Sequence, residues 1–137
     1  MQAPAWVIRL WEATLAANRA AVAALKPGST GNDVDTAGRT SLTAAGYPEY
    51  PHGSGHAIGL KVHDVGPMLG PDWRERYGDP VFFRIEADQV FAVEPLIYVK
   101  PAEADYDINT SLEEDVVVEA GGARYIGTPQ TSLILIR

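Results

Sequence analysis

The sequence changes character at Gly46, and this change limits the folds that are open to the chain. Before that residue, apolar side chains recur every three or four positions among many alanines, as on one side of a helix. After it come glycines, prolines, tyrosines and runs of β-branched residues, which favour turns and strands. Helical segments followed by strands predict an α+β domain, with helices packed on one face of an antiparallel sheet.

Two helices are expected in the first part of the chain. The first is predicted over residues 4–25 and ends at the turn with the sequence KPGS. Thr30 is expected to cap the second helix, with Asp33 three residues later in place of the capping-box glutamate. Because acidic residues in a first turn interact favourably with the helix dipole, Asp33 and Asp35 are interpreted as structural and not as metal ligands.

The second part of the chain is expected to form the sheet. Extended segments are predicted at 57–63, 90–100, 115–120 and 123–126, with a hairpin turn at Gly121-Gly122 and a last short apolar run at 131–136. Connections are expected at 70–80 and 101–109. Within the first connection, Trp73 and Tyr77 are interpreted as packing or lid residues.

Size and composition exclude several classes of function. A chain of 137 residues with 46% hydrophobic residues suits one globular domain. Its net charge of −7 offers no basic patch for phosphates, so no nucleic-acid partner is expected. No membrane contact is expected either, because apolar runs are too short to span a bilayer and Arg9 and Glu12 interrupt any signal-peptide core. With no cysteine for disulfides, a cytoplasmic location is predicted.

All three histidines lie within twelve positions, at His52, His56 and His63, and glycines are interleaved with them. Imidazole is a common metal ligand and acid/base group, and glycine lets the backbone approach a ligand closely. The alternative is a glycine-rich surface turn that carries unconnected histidines.

Two glutamates are further candidates for a metal site. Glu94 is predicted in the middle of an apolar strand, where a carboxylate requires a metal, an arginine partner or a position facing solvent. Glu114 alone would be explained as a solvated charge at a strand end. One histidine with two carboxylates, as in His56, Glu94 and Glu114, suits Zn, Mn, Co or Fe better than Ca or Mg.

Four motifs in series resemble those of the pita-bread metallopeptidases, the superfamily of methionine aminopeptidase, prolidase, aminopeptidase P and creatinase. They are LKPG at 25–28, HGSGHAIGL at 52–60 followed by VHD at 62–64, FAVEPLIY at 91–98, and EDVVV at 114–118. His52 points to the prolidase-like branch. The resemblance implies the C-terminal half of the catalytic domain, with two helices on a curved antiparallel sheet. Residues 1–137 would form a single truncated domain, with helices at about 4–45 and the metal motifs and strands at about 50–137.

The resemblance also implies an activity and a role for five residues. His56, Glu94 and Glu114 would bind metal, His63 would contact the substrate carbonyl or the tetrahedral intermediate, and His52 would position the substrate. The implied enzyme is an Xaa-Pro dipeptidase or aminopeptidase that acts on a peptide or an Xaa-Pro dipeptide through metal-activated water.

The departures from the family pattern lead to further expectations. The family has two aspartate ligands upstream of the first helix, and this sequence has no counterpart of them. We therefore expect at most one divalent metal per chain (Mn, Zn, Co or Fe) and an incomplete enzyme when the chain is alone. Leu112 replaces a usual arginine, Leu96 a glycine and Asp64 a glutamate. The alternative function is a non-catalytic relative that binds peptides or proteins.

The resemblance to half of a larger domain also implies a partner. Without the other half, a sheet edge and apolar surface would be exposed, which folded proteins generally avoid. We therefore expect a homo-oligomer, or pairing with a chain that supplies the missing half.

Overall fold

The computed structural model describes residues 2–136. Two long helices come first and the strands follow, with two short helices between the second and third strands. The elements are α1 (Ala5–Ala24), α2 (Gly31–Ala44), β1 (Gly55–Ile58), β2 (Met68–Leu69), α3 (Arg74–Tyr77), a 3₁₀ helix (Asp79–Phe82), β3 (Val90–Val93), β4 (Leu96–Val99), β5 (Ile108–Ser111), β6 (Glu114–Glu119) and β7 (Gly122–Tyr125). No helix within these described residues is long and apolar enough to cross a bilayer.

The two long helices match their predicted positions closely. α1 begins after Pro4 and ends one residue before the predicted limit. α2 begins with the predicted capping box: the amide of Asp33 donates to Thr30 Oγ1 at 3.2 Å, and the amide of Thr30 donates to Asp33 Oδ2 at 2.8 Å. The hydrogen bond from the Thr30 amide is the main reason why the pKa of Asp33 lies below its usual value. Gly46, at φ +86°, follows α2 as a left-handed C-terminal residue.

All strand pairs are antiparallel, and the strands lie in two sheets. The larger sheet has the order β2-β1-β3-β6-β7, and the smaller one pairs β4 with β5. The helices pack on the larger sheet through an apolar cluster that consists of Ala21, Val22, Leu25, Val34, Ala57, Leu69, Ile85, Phe91, Val93, Val116 and Val118. Full burial of one side chain such as Phe91 contributes roughly 1.5–3 kcal/mol to the stability of the fold. The predicted α+β class is confirmed.

A second cluster joins α1 and α2 to the smaller sheet. Its buried members are Leu10, Ala13, Ala17, Leu42, Tyr50 and Ile97. Each sheet therefore has its own apolar contact with the helix pair, and the chain passes from one sheet to the other at Glu94-Pro95.

The predicted strand over 90–100 is wrong as a single element. β3 ends at Val93, and β4 begins at Leu96 in the other sheet. Pro95 has no amide hydrogen and cannot continue the ladder, so the strand is interrupted there. Glu94 therefore lies at a strand end and not in the middle of an apolar strand.

Other strand predictions need smaller corrections. The segment predicted at 57–63 is extended only through Ile58, and β5 occupies part of the stretch that was predicted as a loop. The apolar run at 131–136 has no regular secondary structure. The last hairpin forms as predicted, but its turn is Ala120-Gly121, one residue earlier than expected, because Gly122 already pairs with Glu119.

Candidate active site

His56 and Glu94 meet where β1 and β3 end. His56 lies opposite Ala92 in the β1–β3 ladder and is 6% exposed. Glu94 follows β3, and its amide donates to the carbonyl of Ser54 at 2.7 Å. His56 Nε2 then lies 3.6 Å from Glu94 Oε1. Two of the three side chains that the sequence predicts as ligands are therefore adjacent.

The second ring nitrogen of His56 supports the same role. Nδ1 lies 3.2 Å from the carbonyl oxygen of Ala57. Because a carbonyl oxygen can only accept, a hydrogen bond there requires the proton on Nδ1, and Nε2 of a neutral ring then has a lone pair available for a metal. A histidine that binds a metal commonly has its other nitrogen fixed in this way.

β1 and β3 approach each other unusually closely beside this pair. A Cβ atom on Gly55 would lie 1.9 Å from the carbonyl oxygen of Ala92. Gly55 has φ +159°, which is close to ordinary extended backbone, so the need for glycine comes from lack of space.

His63 is held against His56 by the loop between β1 and β2. The two imidazole centroids are 3.9 Å apart, with 37° between the ring planes. Asp64 organises this loop, because its carboxylate accepts from the amides of Val65 at 2.8 Å and Lys61 at 3.2 Å. These hydrogen bonds, with that from Val65 the stronger influence, lower the pKa of Asp64.

His52 precedes His56 in the chain and lies in the turn before β1. Its Nδ1 is 2.6 Å from the carbonyl oxygen of Gly53, and its ring centroid is 5.4 Å from that of Tyr50. The amide of Gly53 donates to the hydroxyl of Tyr77 at 2.8 Å, and Trp73 stacks on Tyr77 with centroids 6.1 Å apart. Tyr77 therefore packs against the histidine turn, and Trp73 packs on Tyr77.

Glu114 is separated from the other two proposed ligands. It begins β6 opposite Val93, whereas His56 lies opposite Ala92, so the alternation of side chains along a strand assigns Glu114 and His56 to opposite faces of the sheet. Its Oε1 accepts from the amide of Gln130 at 2.7 Å. Within residues 2–136, no group of three His, Asp or Glu side chains is placed to hold a metal ion.

The residues present fit a metal in part. Two ligands that are each roughly 2.0–2.2 Å from one tetrahedral Zn are themselves about 3.3–3.6 Å apart. The 3.6 Å between His56 Nε2 and Glu94 Oε1 agrees with that spacing and is too long for a strong hydrogen bond. The three-ligand site with Glu114 stays a prediction.

Sequence reasoning missed a buried ion pair beneath the histidine turn. Asp35 and Arg39 are both buried on α2, with Arg39 Nε 2.9 Å from Asp35 Oδ2. Burial alone would lower the pKa of Arg39, but the hydrogen bond and charge of Asp35 raise it. The helix dipole explains Asp33 and not Asp35. The sequence feature that could have indicated this ion pair is the spacing of four residues between an acid and an arginine on a predicted helix.

Known proteins with this fold define the class of protein. Dipeptidase PepE from Mycobacterium ulcerans superposes with a TM-score of 0.80 and 30% identity, over 97% of this chain and 32% of its own. An Xaa-Pro dipeptidase from Bacillus anthracis gives a TM-score of 0.80 at 26% identity, over 98% of this chain and 34% of its own. The fold is that of the pita-bread peptidases, and the predicted fold family is confirmed.

The sequence comparisons identify the family. The profile of metallopeptidase family M24 matches residues 2–124, and the chain belongs to that family. An uncharacterized peptidase of Staphylococcus saprophyticus is 36% identical over 114 residues, which cover 82% of this chain and 29% of that protein. The Xaa-Pro dipeptidase of Lactobacillus delbrueckii is 35% identical over 91 residues, or 66% of this chain and 22% of that protein. The chain thus spans about a third or less of the length of these relatives.

Proposed function

We propose that this chain is the C-terminal part of the catalytic domain of an Xaa-Pro dipeptidase-like or aminopeptidase P-like metallohydrolase. The observation that carries the proposal is the apposition of His56 Nε2 and Glu94 Oε1 at 3.6 Å, with the ring of His63 against His56. Relatives named Xaa-Pro dipeptidase support a peptide substrate, and an Xaa-Pro dipeptide is the proposed one.

The proposed roles of the residues are those that the family resemblance implies. His56 and Glu94, with Glu114 as third ligand, would hold one divalent ion, Mn, Zn, Co or Fe. Such an ion, when bound, lowers the pKa of a water molecule and polarises a peptide carbonyl. His63 lies next to this pair and would donate a hydrogen bond to the substrate carbonyl oxygen. His52 would help to position the substrate.

Glu114 needs a further step to join the other two ligands. The first residue of β6 would have to turn to the face that carries His56 and Glu94, and its carboxylate would exchange the hydrogen bond from the Gln130 amide for the ion. Glu114 is the first residue of β6, at the end of the β3–β6 ladder, where no further pair of residues fixes it.

The second candidate function is peptide or protein binding without catalysis. Two observations favour it: the bond between Glu114 and Gln130, and Leu112 in place of the arginine found in the prolidase-like branch. Leu112 is buried, so a longer charged side chain would need a different local packing. This function predicts that peptide affinity is the same with and without a chelator.

The first experiment measures metal per chain. Protein loaded with Mn²⁺ and desalted is expected to retain one ion per chain by elemental mass spectrometry, and Glu94→Ala is expected to lose it. Glu86→Ala, which removes an exposed carboxylate in the turn before β3, is the matched control and should retain the ion. Hydrolysis of Xaa-Pro dipeptides with added Mn²⁺ then tests catalysis. Absence of retained metal in the unmodified protein would contradict the metallohydrolase proposal.

Association with a second chain is part of the same proposal. Three apolar side chains on the loop between β1 and β2 are exposed: Leu60 at 103%, Val65 at 93% and Val62 at 69%. This exposure supports a homo-oligomer, or a partner chain that supplies the rest of the catalytic domain. Light scattering at micromolar concentration is expected to give a mass above that of one chain, and Leu60→Ser with Val65→Ser should reduce it. A monodisperse monomer would contradict this part.

A further inference from the structure

The carboxylate of Asp35 is the most completely bonded charged group that the structure describes near the histidines. It is 1% exposed and accepts four hydrogen bonds, two from Arg39 at 2.9 and 3.0 Å and two from Ser54 at 2.9 and 3.0 Å. The donors on Ser54 are its amide and its hydroxyl. Asp35 therefore fixes the backbone at Ser54 directly from α2.

Arg39 fixes the same turn at two earlier positions. Its guanidinium donates to the carbonyl oxygens of Tyr50 and His52, each at 2.8 Å, while it also binds Asp35. The guanidinium carbon lies 4.1 Å from the centre of the Tyr50 ring. A planar group with five donors can meet two carbonyls and a carboxylate together, and a lysine cannot.

The Tyr50 hydroxyl closes this network. It shares a short hydrogen bond with the hydroxyl of Ser54. Burial, with a smaller influence from the charge of Asp35, raises the pKa of Tyr50 to about 12, so the phenol keeps its proton. Alternate residues of the turn, at 50, 52 and 54, are thus each attached to one ion pair on α2.

The attachment extends to Glu94. The amide of Ser54 is bound by Asp35, and the carbonyl of Ser54 accepts from the amide of Glu94 at 2.7 Å. We propose that Asp35 and Arg39 are positioning residues, which hold the His52 backbone and, through Ser54, the backbone of Glu94 at the place where Glu94 meets His56. The part concerning metal and substrate rests on the proposed function. The part concerning the position of Glu94 does not.

A merely structural role would have a different signature. A buried ion pair is weak evidence for stability, and removal of one partner is strongly destabilising wherever the pair lies. If stability were its only role, loss of the pair would weaken hydrogen bonds throughout the sheet alike. A positioning role requires that the Glu94 amide be affected far more than a distant amide of the same sheet.

The test uses Asp35→Asn, which keeps the shape of the side chain and removes its charge. Native-state hydrogen exchange is expected to accelerate at the Glu94 amide by a factor at least about ten times larger than at the Val118 amide, which is bonded to Gln89 at the far end of β6 and reports the global loss of stability. Mn²⁺ affinity measured by titration is expected to fall about ten-fold or more, as for other residues that orient ligands indirectly. Asp72→Asn, which breaks an exposed ion pair with Arg74, is the control and should change neither.

Two milder variants keep the test decisive if Asp35→Asn does not fold. Ser54→Ala removes one donor to Asp35, and Arg39→Lys keeps the charge without the planar fork. Both are expected to accelerate exchange at Glu94 selectively, by a smaller factor. Equal acceleration at Glu94 and Val118, or none at Glu94 in any folded variant, would overturn the positioning role. If the unmodified protein binds no Mn²⁺, the proposed function fails while the exchange result still decides the positioning role.

Discussion

The two sides of the histidine segment are built in opposite ways. On the side of His52, the backbone is attached to a buried ion pair on α2, and within the described residues no buried side-chain polar atom lacks a partner. On the side of His63, the loop extends into solvent with apolar residues exposed, and it is organised by Asp64 from within. His56 lies between them.

The turn at 50–54, which is bonded to Asp35 and Arg39, fixes the backbone geometry. His56 and Glu94, next to it, are free to bind a ligand. The Asp35–Arg39 pair is buried and makes six hydrogen bonds inside the protein, so it offers little capacity for a ligand. The contact between His56 and Glu94 is longer than a strong hydrogen bond, and it leaves both groups able to accept a new partner. A site that must bind something needs both properties side by side.

The largest expected effect on stability comes from removal of the buried Asp35–Arg39 ion pair. Arg39→Ala would leave the carboxylate of Asp35 buried without its cation, which costs about 3–5 kcal/mol in the free energy of unfolding. Urea unfolding followed by circular dichroism measures this loss. Arg74→Ala is the comparison, because Arg74 pairs with Asp72 and Asp79 in solvent and such pairs contribute about 0–1 kcal/mol. Similar losses in both variants would mean that the two kinds of ion pair do not differ.

A smaller effect on stability is expected at the beginning of α2, the helix that carries Asp35 and Arg39. Thr30→Ala removes the N-cap and should lower stability by about 1 kcal/mol, whereas Thr30→Ser should keep most of it.

The pKa of Asp33 is lowered in the folded state, so its contribution is present above the unfolded pKa of about 3.9 and is lost as the pH falls through the lower folded value. Unfolding curves between neutral pH and pH 2 should show this loss, and Asp33→Asn should reduce it.

The smallest effect on stability is expected at the exposed side. Asp64→Asn weakens the acceptor for the amides of Lys61 and Val65 and should leave the unfolding midpoint nearly unchanged. The contact between the His63 and His56 rings should loosen, seen as weaker NMR cross-peaks between them. Because the pKa of Asp64 is lowered, acid should produce the same loosening only below the usual aspartate range. An unchanged His63 contact would show that the loop is held by something else.

Local sequence signals predicted the parts of this comparison that depend on neighbours in the chain. The capping box at Thr30 and the glycine that ends α2 were visible because their partners are three or four residues apart. The hydrogen bonds from Asp35 and Arg39 to the turn at 50–54 could not be predicted, because burial of Asp35 depends on how α2 packs against that turn. Glu94 was assigned to a single strand because its β-branched neighbours outweighed the effect of Pro95 on the backbone.

The close approach at Gly55 has a consequence for any screen of single substitutions. Every side chain there would collide with the Ala92 carbonyl, so every variant should lose function, as variants of an essential catalytic group would. A screen that measures only loss of function would therefore not distinguish substitutions at Gly55 from substitutions at His56. Abundance of the folded protein would separate them, since crowding at Gly55 should remove the folded protein, whereas loss of the imidazole at His56 would remove the proposed metal ligand.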